Sequence, residues 1–140
     1  MRLLMLLVLG YSMSAGSAAG ASAAVPTKEA AGVITGICPD KPDFISDPGP
    51  RPLGDITIAK VWGDGTRPEQ FPEPQSRRDG NREVRTWVLD WSESGEFRAI
   101  CEYEGLIGVE IGVIPPEART CVWEAVEKGR KRNVSFYCKR

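Results

Sequence analysis

Four cysteines, Cys38, Cys101, Cys121 and Cys138, limit this chain more than any other feature, because an even set in a short exported domain closes into bridges that exclude most topologies. Export is read from the N-terminus. Arg2 precedes Leu3, Leu4, Met5, Leu6, Leu7, Val8 and Leu9, and a stretch rich in Ala, Gly and Ser then runs to Ala24, which is the order of regions in a secretory signal. Ala21-Ser22-Ala23 predicts cleavage after Ala23, with Ala24 the second choice, so residues 1–23 are expected to be a removed signal peptide. The apolar run is shorter than the roughly 20 residues a membrane span needs, and Cys38 follows Ile37 well beyond it, unlike a lipidated cysteine. The expected product is a periplasmic protein with no integral membrane segment. There is no histidine and no C-x-x-C pair, so a zinc site is not expected and the cysteines are assigned to two disulfides.

The remaining chain, about 115 of the 140 residues, suffices for one domain. Residues 24–32 are small and polar and are expected to be flexible, with a single β domain over 33–140. Residues 33–38 read as a first strand, ended by Pro39. Pro39, Pro42, Pro48, Pro50 and Pro52 then impose an irregular loop. Residues 56–62 read as a second strand, and Gly63-Asp64-Gly65 opens a long, exposed Pro-rich loop over 63–82 that carries Pro68, Pro72, Pro74 and Arg77-Arg78-Asp79-Gly80.

Three hairpins are tested by asking whether one turn placement gathers the apolar residues on one face. A loop at Glu93-Ser94-Gly95 sets Trp91 against Phe97, Leu89 against Ala99 and Trp87 against Cys101. A loop at Glu104-Gly105-Leu106 sets Cys101 against Val109, Ala99 against Ile111 and Phe97 against Val113, and a one-residue slip that brings Cys101 to Glu110 is disfavoured by the hydrophobic pattern. A two-residue Gly129-Arg130 turn, glycine first, sets Ala125 against Val134, Trp123 against Phe136 and Cys121 against Cys138. That register predicts a Cys121–Cys138 bridge and leaves Cys38 for Cys101, one of three connectivities four cysteines allow. A helix over 116–128, with Pro116 in its first turn, is the rival to the last hairpin, although Thr120, Cys121, Val122, Trp123 and Val126 favour strand. The expected fold is mainly β: a small antiparallel sheet or sandwich of about six or seven strands.

Without histidine, a serine or cysteine nucleophile lacks its usual base. Glu102 falls on a polar strand face, where a solvated role outweighs a glycosidase-type pair. Asp40, Asp43, Asp47 and Asp55 do not match a calcium loop, and Asn133-Val134-Ser135 is a formal sequon inside a strand. No catalytic residue and no cofactor is therefore expected. Eighteen basic and nineteen acidic residues give a net charge of −1, which argues against nucleic acid. The charge is nevertheless uneven, because Lys128, Arg130, Lys131, Arg132, Lys139 and Arg140 crowd the end of the chain with no acid among them. Arg130, Lys131 and Arg132, with Arg77 and Arg78, are candidate contacts for an acidic periplasmic protein or an anionic envelope polymer. Of the four tryptophans, Trp87, Trp91 and Trp123 fall on the predicted core face, and Trp62, beside Gly63, is the candidate for an exposed contact such as glycan stacking.

The signal peptide, Ile37-Cys38-Pro39, Trp62-Gly63, Trp87-Val88-Leu89, Cys101-Glu102-Tyr103-Glu104-Gly105, Pro115-Pro116 and the late Cys121 and Cys138 together resemble a group of small periplasmic proteins of Gram-negative bacteria, some encoded among type VI secretion genes. The resemblance implies a periplasmic, inhibitor-like or immunity-like protein that works by binding another protein, and its shared residues are architectural rather than catalytic. An envelope glycan-binding module and a carboxylate-based envelope enzyme are the alternatives.

Overall fold

In the computed structural model, residues 32–44, 46, 51–65 and 67–140 are described. The expected signal peptide, the expected flexible stretch apart from Gly32, and Asp47-Pro48-Gly49-Pro50 lie outside the described residues. Among the described residues every regular element is a strand: β1 (Val33–Ile34), β2 (Leu53–Val61), β3 (Gln75–Asp79), β4 (Arg82–Val88), β5 (Glu96–Tyr103), β6 (Val109–Val113), β7 (Thr120–Lys128) and β8 (Lys131–Lys139). None of these residues forms a helix long and apolar enough to cross a membrane.

The strands form two antiparallel sheets, β1-β8-β7-β4-β3 and β2-β5-β6. One core lies between them. Period-two alternation supplies it: Trp87, Cys121, Trp123, Ala125 and Cys138 from the larger sheet meet Ile56, Ile58, Phe97, Ala99 and Cys101 from the smaller. Ile34, Ile37, Ile114 and Ala118 close it from flanking segments. Two disulfides staple the arrangement, Cys121–Cys138 across neighbouring strands and Cys38–Cys101 from the segment after β1 to the central strand of the smaller sheet. With sequence separations of 17 and 63, loop-closure entropy makes them worth about 3 and 4 kcal/mol respectively.

The β7–β8 hairpin has the expected register, from Cys121 opposite Cys138 to Glu127 opposite Arg132. Gly129 takes φ 63° and, among the described residues, only glycines have positive φ, which is the glycine-first turn the sequence implies and not the form that needs two such residues. A helix over 116–128 is thereby excluded: Thr120–Lys128 is strand.

Five expectations about the strands are corrected. The first strand is only Val33–Ile34, because Gly36 at φ 77° turns the chain before Ile37. The second begins earlier than expected and runs Leu53–Val61. The stretch over 63–82 is not all loop, since Gln75–Asp79 is a fully exposed edge strand joined to β4 by a Gly80-Asn81 turn, which raises the strand count to eight.

The predicted hairpin that sets Trp87 against Cys101 and Trp91 against Phe97 does not form. β4 pairs with β3 and β7, whereas β5 pairs with β2 and β6. Residues 89–93 cross from one sheet to the other, with the Leu89 N–H donating to the Arg119 carbonyl and the Trp91 indole N–H donating to that of Ala118 at 2.6 Å. Trp91 and Phe97 do meet, edge to face at 4.8 Å between ring centroids, but across this crossing.

The β5–β6 register is the rejected one, with Cys101 opposite Glu110 and Ala99 opposite Gly112. Gly112 faces the core because Ile37 already fills the space there: a Cβ on Gly112 would stand 2.1 Å from the Ile37 carbonyl oxygen. Val109, Ile111 and Val113 consequently lie on the outer face, exposed.

Candidate functional site

Two glycine-first hairpin turns, Gly80-Asn81 and Gly129-Arg130, end at the same edge of the larger sheet, because β4 pairs with β7 from Arg82–Val126 to Val88–Thr120. The tips are tied together. The Glu127 N–H donates to the Asn81 carbonyl at 2.9 Å, and the Asn81 amide donates back to the Glu127 carbonyl at 2.7 Å. Residues 45 or more positions apart in sequence thereby become neighbours, and these residues are mostly basic.

The β3–β4 hairpin contributes Arg77, Arg78, Arg82 and Arg85 against Asp79 and Glu83; the β7–β8 hairpin contributes Lys128, Arg130, Lys131 and Arg132 against Glu124 and Glu127. Each side therefore carries two cations for every carboxylate. Strand alternation sorts them further. On the inward face, Arg85 donates to Asp55 at 2.6 Å and to Glu83 at 3.1 Å, Arg132 lies 3.9 Å from Glu83, and Arg78 lies 3.6 Å from Glu127. On the outward face, Arg82 makes two bonds to Glu124, at 2.9 and 3.0 Å, and the carboxylate raises the Arg82 pKa above its ordinary value.

The buried ring of Trp123 is the floor of the inward cluster. The Arg85 and Arg132 guanidinium groups lie 4.3 and 5.2 Å from its centroid, and its indole N–H donates to the Gly54 carbonyl. Arg85 and Arg132 are thus held in place by stacking and ion pairs. Among the described residues, no carboxylate comes within ion-pair distance of Arg77, Lys128, Arg130 or Lys131, so their charge projects into solvent. A groove of about 420 Å³ is lined by Arg130, Lys131 and Arg132 together with Pro52, Leu53 and Glu104.

Of the residues singled out from sequence, Arg78 lies against Glu127 and Arg132 near Glu83, Arg130 and Lys131 occupy the adjoining turn and the start of β8, and Arg77 lies on the opposite face of β3 from Arg78. Trp62 is a correction. It is 7% exposed, packs at the opposite end of β2, and lies beneath the Arg67 guanidinium at 5.2 Å and close against Gly95. Trp87 and Trp123 are also buried and Trp91 is half-buried, so the tryptophans form core rather than a stacking platform. Arg82 and Arg85 escaped the sequence reading, since only the pairing of β4 with β7 shows that they join the basic tail. The Asp79-Gly80 dipeptide was the one signal for the turn that carries them.

Comparison with protein families, curated proteins and solved structures returns no match for the chain.

Proposed function

We propose that this chain is an exported periplasmic protein that acts by binding an acidic protein, in the manner of an inhibitor or immunity protein, and that the paired hairpin tips are its contact surface. The observation that carries the reading is the convergence of two basic hairpins, distant in sequence, onto one end of a rigid, disulfide-stapled sheet. A cationic patch of this kind steers an oppositely charged partner and orients it at encounter. Its inner half is fixed by the Trp123 stack and the Glu83 ion pairs, while its outer half, Arg77, Lys128, Arg130 and Lys131, is free to pair with a partner's carboxylates. The work assigned to these side chains is recognition, with no catalytic step.

The leader and the two disulfides support an oxidising compartment outside the cytosol, and the leader pattern points to the periplasm. Tagged mature protein and its Arg130→Ala/Lys131→Ala/Arg132→Ala variant, passed over envelope extract at low and moderate salt, test the proposal. The expected result is an acidic protein retained in stoichiometric amount by the wild type at low salt and lost with the variant. Retention of the same protein by the variant with the same salt dependence would contradict it.

A further inference from the structure

A lysine on an inward-facing sheet position is out of place unless something answers its charge, and Lys60 is such a residue. It follows Ile56 and Ile58 on the core face of β2, sits directly opposite Phe97, and is 7% exposed. Its ammonium donates one hydrogen bond, to the Asp90 carbonyl at 2.9 Å, and lies 5.1 Å from the Phe97 ring and 5.6 Å from that of Trp62. Among the described residues no carboxylate oxygen lies within 4.0 Å of it. The Asp90 carboxylate accepts instead from Ser92, and these hydrogen bonds, more than the charge of Lys60, hold its pKa below the ordinary value. A lysine ammonium has three N–H donors. Two remain for something else.

Lys60 and Phe97 lie at the base of a cleft of about 480 Å³, within the size range of small-molecule sites. Phe71 and Val88, 54% and 67% exposed, line it together with Gln70, Pro72, Asp90 and Glu93. We infer that this cleft binds an organic monocarboxylate with an apolar body, the carboxylate on the Lys60 ammonium and the body against Phe71 and Val88. A single negative charge answers a single buried ammonium, whereas the Asp90 carboxylate repels phosphates and other multiply charged anions. Glu93 is itself tied to Arg67 at 2.9 Å. The site lies at the far end of β2 from the basic hairpin tips, since Leu53, at the near end, lines their groove. It stands independently of the partner proposed above.

Two sources present this chemistry, a free aryl or alkyl acid and the C-terminus of a peptide that ends in an apolar residue. Mature protein titrated with 3-phenylpropanoate, and separately with N-acetylglycyl-phenylalanine, is followed by amide and indole NMR. The expected result is saturable shifts at Phe71, Val88 and Asp90 and at the Trp62 indole, with the tighter of the two probes assigning the source. The neutral isosteres, 3-phenylpropanamide and the dipeptide amide, should bind about 10-fold or more weakly, the cost of losing a charge-assisted pair. Lys60→Met, which keeps the buried stem, should lose binding to the same degree. Absence of saturable shifts with both acids would overturn the inference, as would equal binding of acid and amide. The isostere comparison uses the unaltered protein, so it decides the matter even if the variant does not fold.

Discussion

Tyr103 joins the inner face of β5 to the segment that follows β1, its hydroxyl donating to the Pro39 carbonyl at 2.5 Å one residue beyond the Cys38–Cys101 bridge. Burial pushes its pKa up to about 12, with Glu110, Asp40 and Asp43 adding to the shift. The folded value lies above the unfolded value of about 10. The contribution to stability is therefore complete below pH 10 and is lost as the pH rises from about 10 to about 12. Denaturant midpoints should fall more steeply across that window in the wild type than in Tyr103→Phe, which itself should lose about 1 kcal/mol through the missing hydrogen bond. Equal alkaline slopes for the two proteins would show that the phenol is not held as described. Tyr103 was legible in the sequence as a core-facing residue, because alternation along 97–103 is regular; its partner was not, because nothing in a run of prolines tells which carbonyl will come within reach.

At the scale of single elements, β6 turns on Gly112. Adding a methyl group there drives it into the Ile37 backbone, so Gly112→Ala should cost about 1–3 kcal/mol as overpacking in the core. A thermal unfolding midpoint equal to that of the wild type would mean that the register of β6 against β5 is not the one described. The same glycine explains why the sequence misled at this point. A test that gathers the largest apolar residues on one face puts Ile111 and Val113 inside, but the core position was already filled by Ile37 from a segment 75 residues earlier, and filling from a distance leaves no local trace. The hairpin expected to pair Trp87 with Cys101 failed for a related reason. Trp87 and Phe97 do face one core, and alternation reports that much, but two strands facing the core from opposite sheets satisfy the pattern as well as two paired strands do. Strand β3 was missed because all five of its residues are polar and exposed, with no alternation to read. The β7–β8 hairpin was recovered because three separate signals agreed: a glycine-first turn, apolar alternation on both strands, and two cysteines falling opposite each other.

For the whole molecule, unpaired basic charge gathers at one end of the larger sheet. The β3–β4 and β7–β8 tips collect cations, whereas near the other end of β2 Glu93 is paired with Arg67 and Glu96 with Arg98. Half of the basic end was legible as the run Lys128 to Arg132. The other half depended on a pairing of strands about 40 residues apart, which is a property of the fold and not of any segment. On the proposed function, these two hairpins act as one surface toward one acidic protein. Photo-crosslinking residues placed singly at Arg77, on β3, at Lys131, on β8, and at Thr57, exposed on the outer face of the smaller sheet, test it most directly when the protein is expressed in its own envelope. The expected result is the same acidic protein joined to the chain from positions 77 and 131, and none from position 57. An adduct from position 57 alone, or different proteins from positions 77 and 131, would contradict it.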